Sequence, residues 1–260
     1  MQCVIDVGNT ETAAGVFREG ELLESWRIAT GTGRTADEWI LLIAGLLERS
    51  GLEPGKLVQA VAGSVVPQAT DTLRRALERL APEGSVVMVD AELPLPIRLE
   101  VEEPRTVGAD RIVNTLAAKE RFGRDTIVVD LGTATTFDCI TGDGVFLGGV
   151  IAPGIQAGID WLGRRTAKLP RVELLPPERV IGRRTETCIQ SGVFFSAVDA
   201  VDGIVRRIRG EWERPDALVV ATGGLAAVVA PRTETVDRVE PFLTLHGLSL
   251  AGAFAGPGGA

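Results

Sequence analysis

Hydrophobic positions along the chain switch between a period of two and a period near 3.6, which predicts strands alternating with helices. The segment from Val4 to Gly8 reads as an apolar strand ending in Asp-x-Gly. A second strand follows, then a turn at Arg18-Glu19-Gly20-Glu21 and a third strand. Thr35 to Ser50 is a predicted helix, with Thr35 as N-cap and Glu38 three residues on. Leu57 to Gly63 is a short strand, and Pro67 to Leu80 a helix by the spacing of Leu73, Ala76, Leu77 and Leu80. Val86 to Val89 is a strand. Pro94 to Pro104 is a proline-rich connector or edge segment, and Gly108 to Arg121 is a helix. Strands are expected near 126–131, 134–140 and 145–151, and a helix from about Ile155. Beyond the expected loop Pro170 to Arg184 come a long helix from about Thr185 to Arg209 and a strand from Ala217 to Ala221. Further helices are expected after Gly223 and from Leu243. This order gives an α/β fold with mixed sheets.

The chain repeats itself. Val4-Ile5-Asp6-Val7-Gly8-Asn9-Thr10-Glu11-Thr12 aligns with Val128-Val129-Asp130-Leu131-Gly132-Thr133-Ala134-Thr135-Thr136 at an offset of 124 residues. Continued without gaps, Gly20 falls on Gly144 and Leu23 on Leu147. Each copy is a three-strand meander, so two structurally duplicated halves are expected.

Composition narrows the chemistry. Twenty-seven Lys+Arg against 35 Asp+Glu leave a formal charge of −8. That argues against a nucleic-acid binder, which needs a basic footprint. The three cysteines (Cys3, Cys139, Cys188) form no CxxC pair, which argues against a disulfide framework or a zinc site. One histidine, His246, leaves little room for a histidine-based triad. The opening residues lack the basic region of a signal peptide, and the apolar runs are strand-sized. The expectation is a cytoplasmic protein with no membrane partner. Trp39, Trp161 and Trp212 read as packing residues, His246 as structural, and Cys139 and Cys188 as buried thiols.

An Asp-x-Gly turn followed by Asn or Thr suits phosphate. Glycine admits a close backbone approach, and hydroxyls and N–H groups donate to phosphate oxygens. The carboxylate would act through a cation. Either aspartate alone serves equally well as a tight-turn former; two copies favour nucleotide binding. Ala221-Thr222-Gly223-Gly224-Leu225, between a strand and a helix, is a further approach point for phosphate or adenosine, or a simple turn. Gly148-Gly149-Val150-Ile151-Ala152-Pro153-Gly154 permits a sharp strand-to-helix change against a ligand. Walker A and Gly-x-Gly-x-x-Gly signatures are absent from the sequence. At Gly108-Ala109-Asp110-Arg111 the aspartate is either a helix-dipole partner or an acceptor for a substrate hydroxyl proton. Arg111 suits a carboxylate or a phosphate.

Together these segments resemble the type III pantothenate kinases. The likeness also rests on Arg34-Thr35-Ala36-Asp37-Glu38-Trp39, Gly63-Ser64-Val65-Val66-Pro67 and Gln190-Ser191-Gly192, and spans residue 3 to about 254. The resemblance implies the actin-like ATPase superfamily: two duplicated ribonuclease-H-like domains, here 1–112 and 113–260, with a nucleotide cleft between them. It implies phosphorylation of the pantothenate 4′-hydroxyl by ATP with Mg²⁺, the first step of coenzyme A synthesis. A monovalent cation, K⁺ or NH4⁺, and a homodimer are implied as well. By position, Asp110 is the catalytic base. Val101, Gly108, Ala109, Asp110, Arg111 and Thr185 are at the substrate. Asp6, Val7, Gly8, Asn9, Thr10, Glu11, Thr12, Ala13 and Thr133 are at ATP, and Asp130 is at the monovalent cation. Two positions depart from the family. Val101 stands where a substrate-touching Tyr is usual, in a chain without tyrosine, and Glu11 puts a carboxylate in the first phosphate loop. These departures leave room for a non-catalytic, ATP-binding regulatory paralogue. A phosphohydrolase on the same fold is a third reading.

Overall fold

The structure, a computed structural model, describes residues 1–166 and 168–255. Two compact units emerge. The first comprises residues 1–121, 144–146 and the chain from Leu243; the second comprises 122–143 and 147–242. The expected division at 112/113 would cut a helix that runs unbroken from Ala109 to Phe122 and buries Val113, Leu116 and Ala117.

In the first unit, β1 (Gln2–Val7), β2 (Glu11–Arg18), β3 (Glu21–Ala29), β4 (Gln59–Ser64) and β5 (Val86–Val89) form a sheet of order β3-β2-β1-β4-β5. The meander β1–β3 is antiparallel; β4 joins β1, and β5 joins β4, in parallel. Strand alternation divides the core. Cys3, Ile5 and Val7 pack with α1 (Ala36–Arg49) and α2 (Pro67–Leu80). Val4, Val61 and Val87 pack on the opposite face with α3 (Ala109–Phe122) and α7 (Leu243–Ala255). α1 begins with the expected capping box: Thr35 Oγ1 accepts from Glu38 N–H, and Thr35 N–H donates to Glu38 Oε2 at 2.8 Å. α2 begins with proline, whose missing donor is harmless at a first helical position. α7 comes close to its neighbours through glycine. A Cβ at Gly247 would collide with the Val113 carbonyl, and one at Gly252 would lie 2.8 Å from Gln59 Oε1. In the proline-rich segment, β6 (Arg98–Leu99) pairs in parallel with Val145 and Phe146.

The second unit repeats the plan. β7 (Thr126–Leu131), β8 (Ala134–Ile140), β9 (Val145–Pro153), β10 (Leu218–Thr222) and β11 (Arg238–Val239) run in the order β9-β8-β7-β10-β11. β7–β8 is antiparallel, and β10 and β11 add in parallel. The sequence offset of 124 carries β1 onto β7 and β3 onto β9 end for end. The hairpin between them is one residue tighter in the second copy. Val7 pairs with Thr12 across a four-residue loop, whereas Leu131 pairs with Thr135 across three. The ungapped alignment is therefore out of step along β8. β11, a two-residue edge strand, was not visible in the pattern.

α4 (Ile155–Arg165), α5 (Thr185–Glu211) and the short α6 (Ala226–Val229) complete the unit. α5 is long and apolar enough to cross a membrane by length and composition. It is nonetheless a core helix, burying Ile189, Phe194, Val198, Val201 and Val205. Asp202, buried on the same helix, accepts N–H bonds from Glu234 and Thr235 and the Thr235 hydroxyl proton.

Trp39 is fully buried as expected, but Trp161 is 60% exposed, on the outer side of α4. Nor are both later cysteines buried: Cys139 is half-buried and Cys188 lies on the solvent side of α5 with Gly192 and Ser196. The placement of Cys188 follows the i, i+4 ladder of the helix rather than residue type. His246 packs edge-on against Phe17, ring centroids 5.2 Å apart.

Candidate active site

Asp6 lies one residue before the end of β1. Alternation puts it on the face shared by Val4, α3 and α7. The loop that follows is tightly closed. Gly8 N–H donates to the Glu11 carbonyl at 3.1 Å and Thr30 N–H to the Thr10 carbonyl at 2.9 Å. The Thr30 hydroxyl donates to the Gly8 carbonyl at 2.7 Å. Val7 and Thr12 are buried, Ala13 is half-buried, and Asn9 and Thr10 are exposed at the tip. A Cβ at Gly8 would lie 2.9 Å from the Glu11 carbonyl oxygen, so this turn needs glycine. Glu11 is exposed at the start of β2. Its Oε2 lies 3.4 Å from Arg27 Nη1, a diagonal neighbour across the β2–β3 pair.

Asp6 pairs in register with Gly63 on β4. A Cβ on Gly63 would lie 3.1 Å from Ala109 Cβ, so the bare glycine lets the first turn of α3 settle beside the β1 end. In that turn the Gly108 carbonyl accepts from the N–H groups of Arg111 and Ile112. Asp110 Oδ1 accepts from Arg111 N–H at 2.9 Å. Burial pushes the Asp110 carboxyl above its ordinary 3.8, against the opposing effects of the Arg111 N–H bond and charge. The Arg111 guanidinium lies over the buried Phe146 ring, 4.9 Å from its centroid. Val101 is half-buried in the coil after β6. Asp6, Gly108, Ala109, Asp110 and Arg111 thus belong to one region of the first unit.

The second unit gathers another group. Asp130 occupies the β7 position that Asp6 holds on β1. Gly223, at φ 89°, lies so close that any side chain there would run into Asp130 Oδ1 and the Leu131 backbone. The Gly132 Cα also faces that carboxylate; a Cβ there would lie 3.5 Å from Oδ1. Thr133 is exposed at the hairpin tip, and Gly154, at the start of α4, presses on the Gly132 and Thr133 carbonyls. Of these groups the Asp130 carboxylate is the hard oxygen ligand that suits a cation such as K⁺. Among the described residues no group of three or more His, Cys, Asp or Glu could hold a metal ion. Thr185 is the first residue of α5 and exposed; the helix is capped by Thr187 Oγ1, which accepts from Arg183 and Arg184 N–H.

Thr30 and Phe146 were not singled out in the sequence, and Gly63 entered only as part of the segment Gly63 to Pro67. Gly63 and Phe146 act through contacts made only after folding. Thr30 had a signal, because the offset of 124 places it on Gly154 of the second copy.

A family model for type III pantothenate kinase matches residues 3–207. A type III pantothenate kinase of Moorella thermoacetica is 45% identical over 251 residues, covering 96% of this chain and 98% of that protein. One from Syntrophotalea carbinolica is 46% identical over 253 residues, covering 96% and 97%. Among solved structures, a ROK family glucokinase from Streptomyces griseus, in complex with glucose and AMPPNP, superposes with a TM-score of 0.53 at 14% identity. It covers 98% of each chain. At this identity the likeness shows a shared fold.

Proposed function

Because the chain belongs to the type III pantothenate kinase family, we propose that it transfers the γ-phosphoryl group of ATP to the 4′-hydroxyl of pantothenate. The observation that supports this most strongly is the half-buried Asp110 carboxylate in the first turn of α3, next to Arg111. In this reading Asp110 takes the hydroxyl proton as the alcohol oxygen bonds to γ-phosphorus and the bond to the ADP oxygen breaks. A carboxyl raised by burial is a stronger base than an exposed one. Arg111, steadied by Phe146, holds the pantothenate carboxylate or the transferring group, with Gly108, Ala109, Val101 and Thr185 around the substrate. Residues 6–13 and Thr133 bind ATP through backbone N–H groups and hydroxyls, and Mg²⁺ arrives with the nucleotide. Asp130 would hold K⁺ or NH4⁺, which supplies positive charge near the phosphates. The reaction is assigned to the cytoplasm.

A homodimer belongs to the same proposal. Ile151, Trp161 and Ile181 of the second unit are 65%, 60% and 82% exposed, surface that a second copy would cover. The regulatory-paralogue reading keeps only Val101 in its favour, since Glu11 is engaged by Arg27.

The test is ADP release from ATP, Mg²⁺ and K⁺ with and without pantothenate, with phosphopantothenate identified by mass. Product that requires pantothenate, and falls when Na⁺ replaces K⁺, is expected. ATP binding with no product at millimolar pantothenate would transfer the assignment to the paralogue.

A further inference from the structure

We propose that Thr30 is the positioning residue of the first phosphate-binding loop, fixing the direction in which its amides face. The inference rests on the reading of residues 6–13 as the ATP-binding loop. Thr30 follows β3 and makes three contacts with that loop. Its N–H donates to the Thr10 carbonyl, its hydroxyl donates to the Gly8 carbonyl at 2.7 Å, and its oxygen lies 2.8 Å from Thr12 Oγ1. The hydroxyl has a single proton, committed to Gly8, so Thr12 is the donor in the last pair. The order of donation is therefore Thr12 to Thr30 to Gly8.

Across a trans peptide the carbonyl and the following N–H point in opposite directions. Holding the Gly8 carbonyl inward on Thr30 therefore turns the Asn9 N–H outward, on the exposed side of the loop. An amide fixed in advance costs no reorganisation when an anion arrives. Without the hydroxyl, the Gly8–Asn9 peptide can rotate and the Gly8 carbonyl oxygen can face the phosphate.

The duplication supplies an independent comparison. The position matching Thr30 in the second copy is Gly154, and it too supports the hairpin loop, by different means. There the loop is one residue shorter, and its Gly132 and Thr133 carbonyls lie directly against the Gly154 backbone, leaving no room for a side chain. In the longer first loop the carbonyls of Thr10 and Gly8 instead accept hydrogen bonds from the Thr30 N–H and hydroxyl. The same site in the two meanders thus sets loop position by contact in one and by hydrogen bond in the other.

The experiment compares wild type, Thr30→Val and Thr30→Ser by calorimetric titration with a non-hydrolysable ATP analogue and Mg²⁺, alongside thermal melts and steady-state kinetics. Thr30→Val should weaken analogue binding about five- to tenfold, the range one such hydrogen bond commands. Thr30→Ser should stay within about twofold of wild type, and the KM for pantothenate should be unchanged in both. Thr30→Ala carries the same expectation should the valine variant not fold. Wild-type affinity in Thr30→Val, or a serine variant as weak as the valine one, would overturn the proposal. So would a lower melting temperature with unchanged affinity. Wild-type protein that binds the analogue but makes no phosphopantothenate would sink the kinase assignment alone; failure to bind the analogue would sink both.

Discussion

Gly108→Ala separates the placement of the catalytic carboxylate from the stability of the fold. A methyl group at residue 108 would enter the space held by Asp110 Oδ1 and lie 3.2 Å from Val65 Cγ1. Gly108 has an ordinary negative φ, so no backbone strain accompanies the change. The carboxylate is the mobile end of a short side chain, and it yields by rotating about its own bonds. The rotation breaks one hydrogen bond, from Arg111 N–H to Oδ1. The stability cost is then about 1–2 kcal/mol, or a few degrees in melting temperature for a chain of this size. The catalytic cost is larger, because a reacting group misplaced by about 1 Å loses on the order of a hundredfold in rate. The assay pairs kcat from coupled ADP release with a thermal melt. Gly55→Ala is the control, since a Cβ there meets nothing within 4 Å. A Gly108→Ala protein with wild-type kcat would refute the argument, showing that the Asp110 position seen here is not the working one. A variant that fails to fold would refute it differently, by showing that the carboxylate cannot move aside.

Asp110→Asn should keep the melting temperature and lower kcat by about 10²–10⁴. In wild type the acid limb of kcat/KM should lie above pH 3.8, the ordinary value of the carboxyl, because burial raises it; a limb at or below 3.8 would contradict that. The sign for stability is the reverse of a salt-bridged acid. The folded state holds this proton more tightly than the unfolded state, so the contribution of Asp110 falls as pH rises through the window above 3.8. Gly154→Ala opposes a methyl group to backbone rather than to a mobile side chain, 2.7 Å from the Gly132 oxygen. Loss of about 1–3 kcal/mol is expected by denaturant titration, and an unchanged midpoint would count against the close approach. Against a thiol reagent in the native protein, exposed Cys188 should react first. Cys3, fully buried with its thiol pushed up to about 12, should react only on unfolding.

Much of this architecture is written locally. Thr35 and Glu38 announce α1, Pro67 opens α2, and Gly20 and Gly144, which have positive φ, mark turns. The duplicated Asp-x-Gly segments revealed the repeat because strand ends and phosphate loops both demand a narrow set of residues. What the pattern could not reveal depends on distance in the fold. The one-residue difference between the hairpins is a matter of register, invisible in an alignment whose outer strands still match. The contacts of Gly63 with Ala109 and of Phe146 with Arg111 join segments far apart in the chain. The exposure of Trp161 and Cys188 likewise depends on how α4 and α5 are rotated against their neighbours, which side-chain identity does not fix.

The return of α7 to the first sheet bears on how the molecule is made. Val4, Val61 and Leu116 share a core with Leu245, Leu248 and Ala251, from the last described helix. During synthesis β1 to β5 leave the ribosome long before that helix exists. Closing contacts this far apart carries a large loop entropy and slows folding. One face of the sheet is therefore incompletely covered while the whole second unit is translated, and apolar surface of that kind is what holding chaperones recognise. The second unit draws on one uninterrupted span apart from residues 144–146, and it carries no such delay. The gene order thus makes the unit that begins first the one that finishes last.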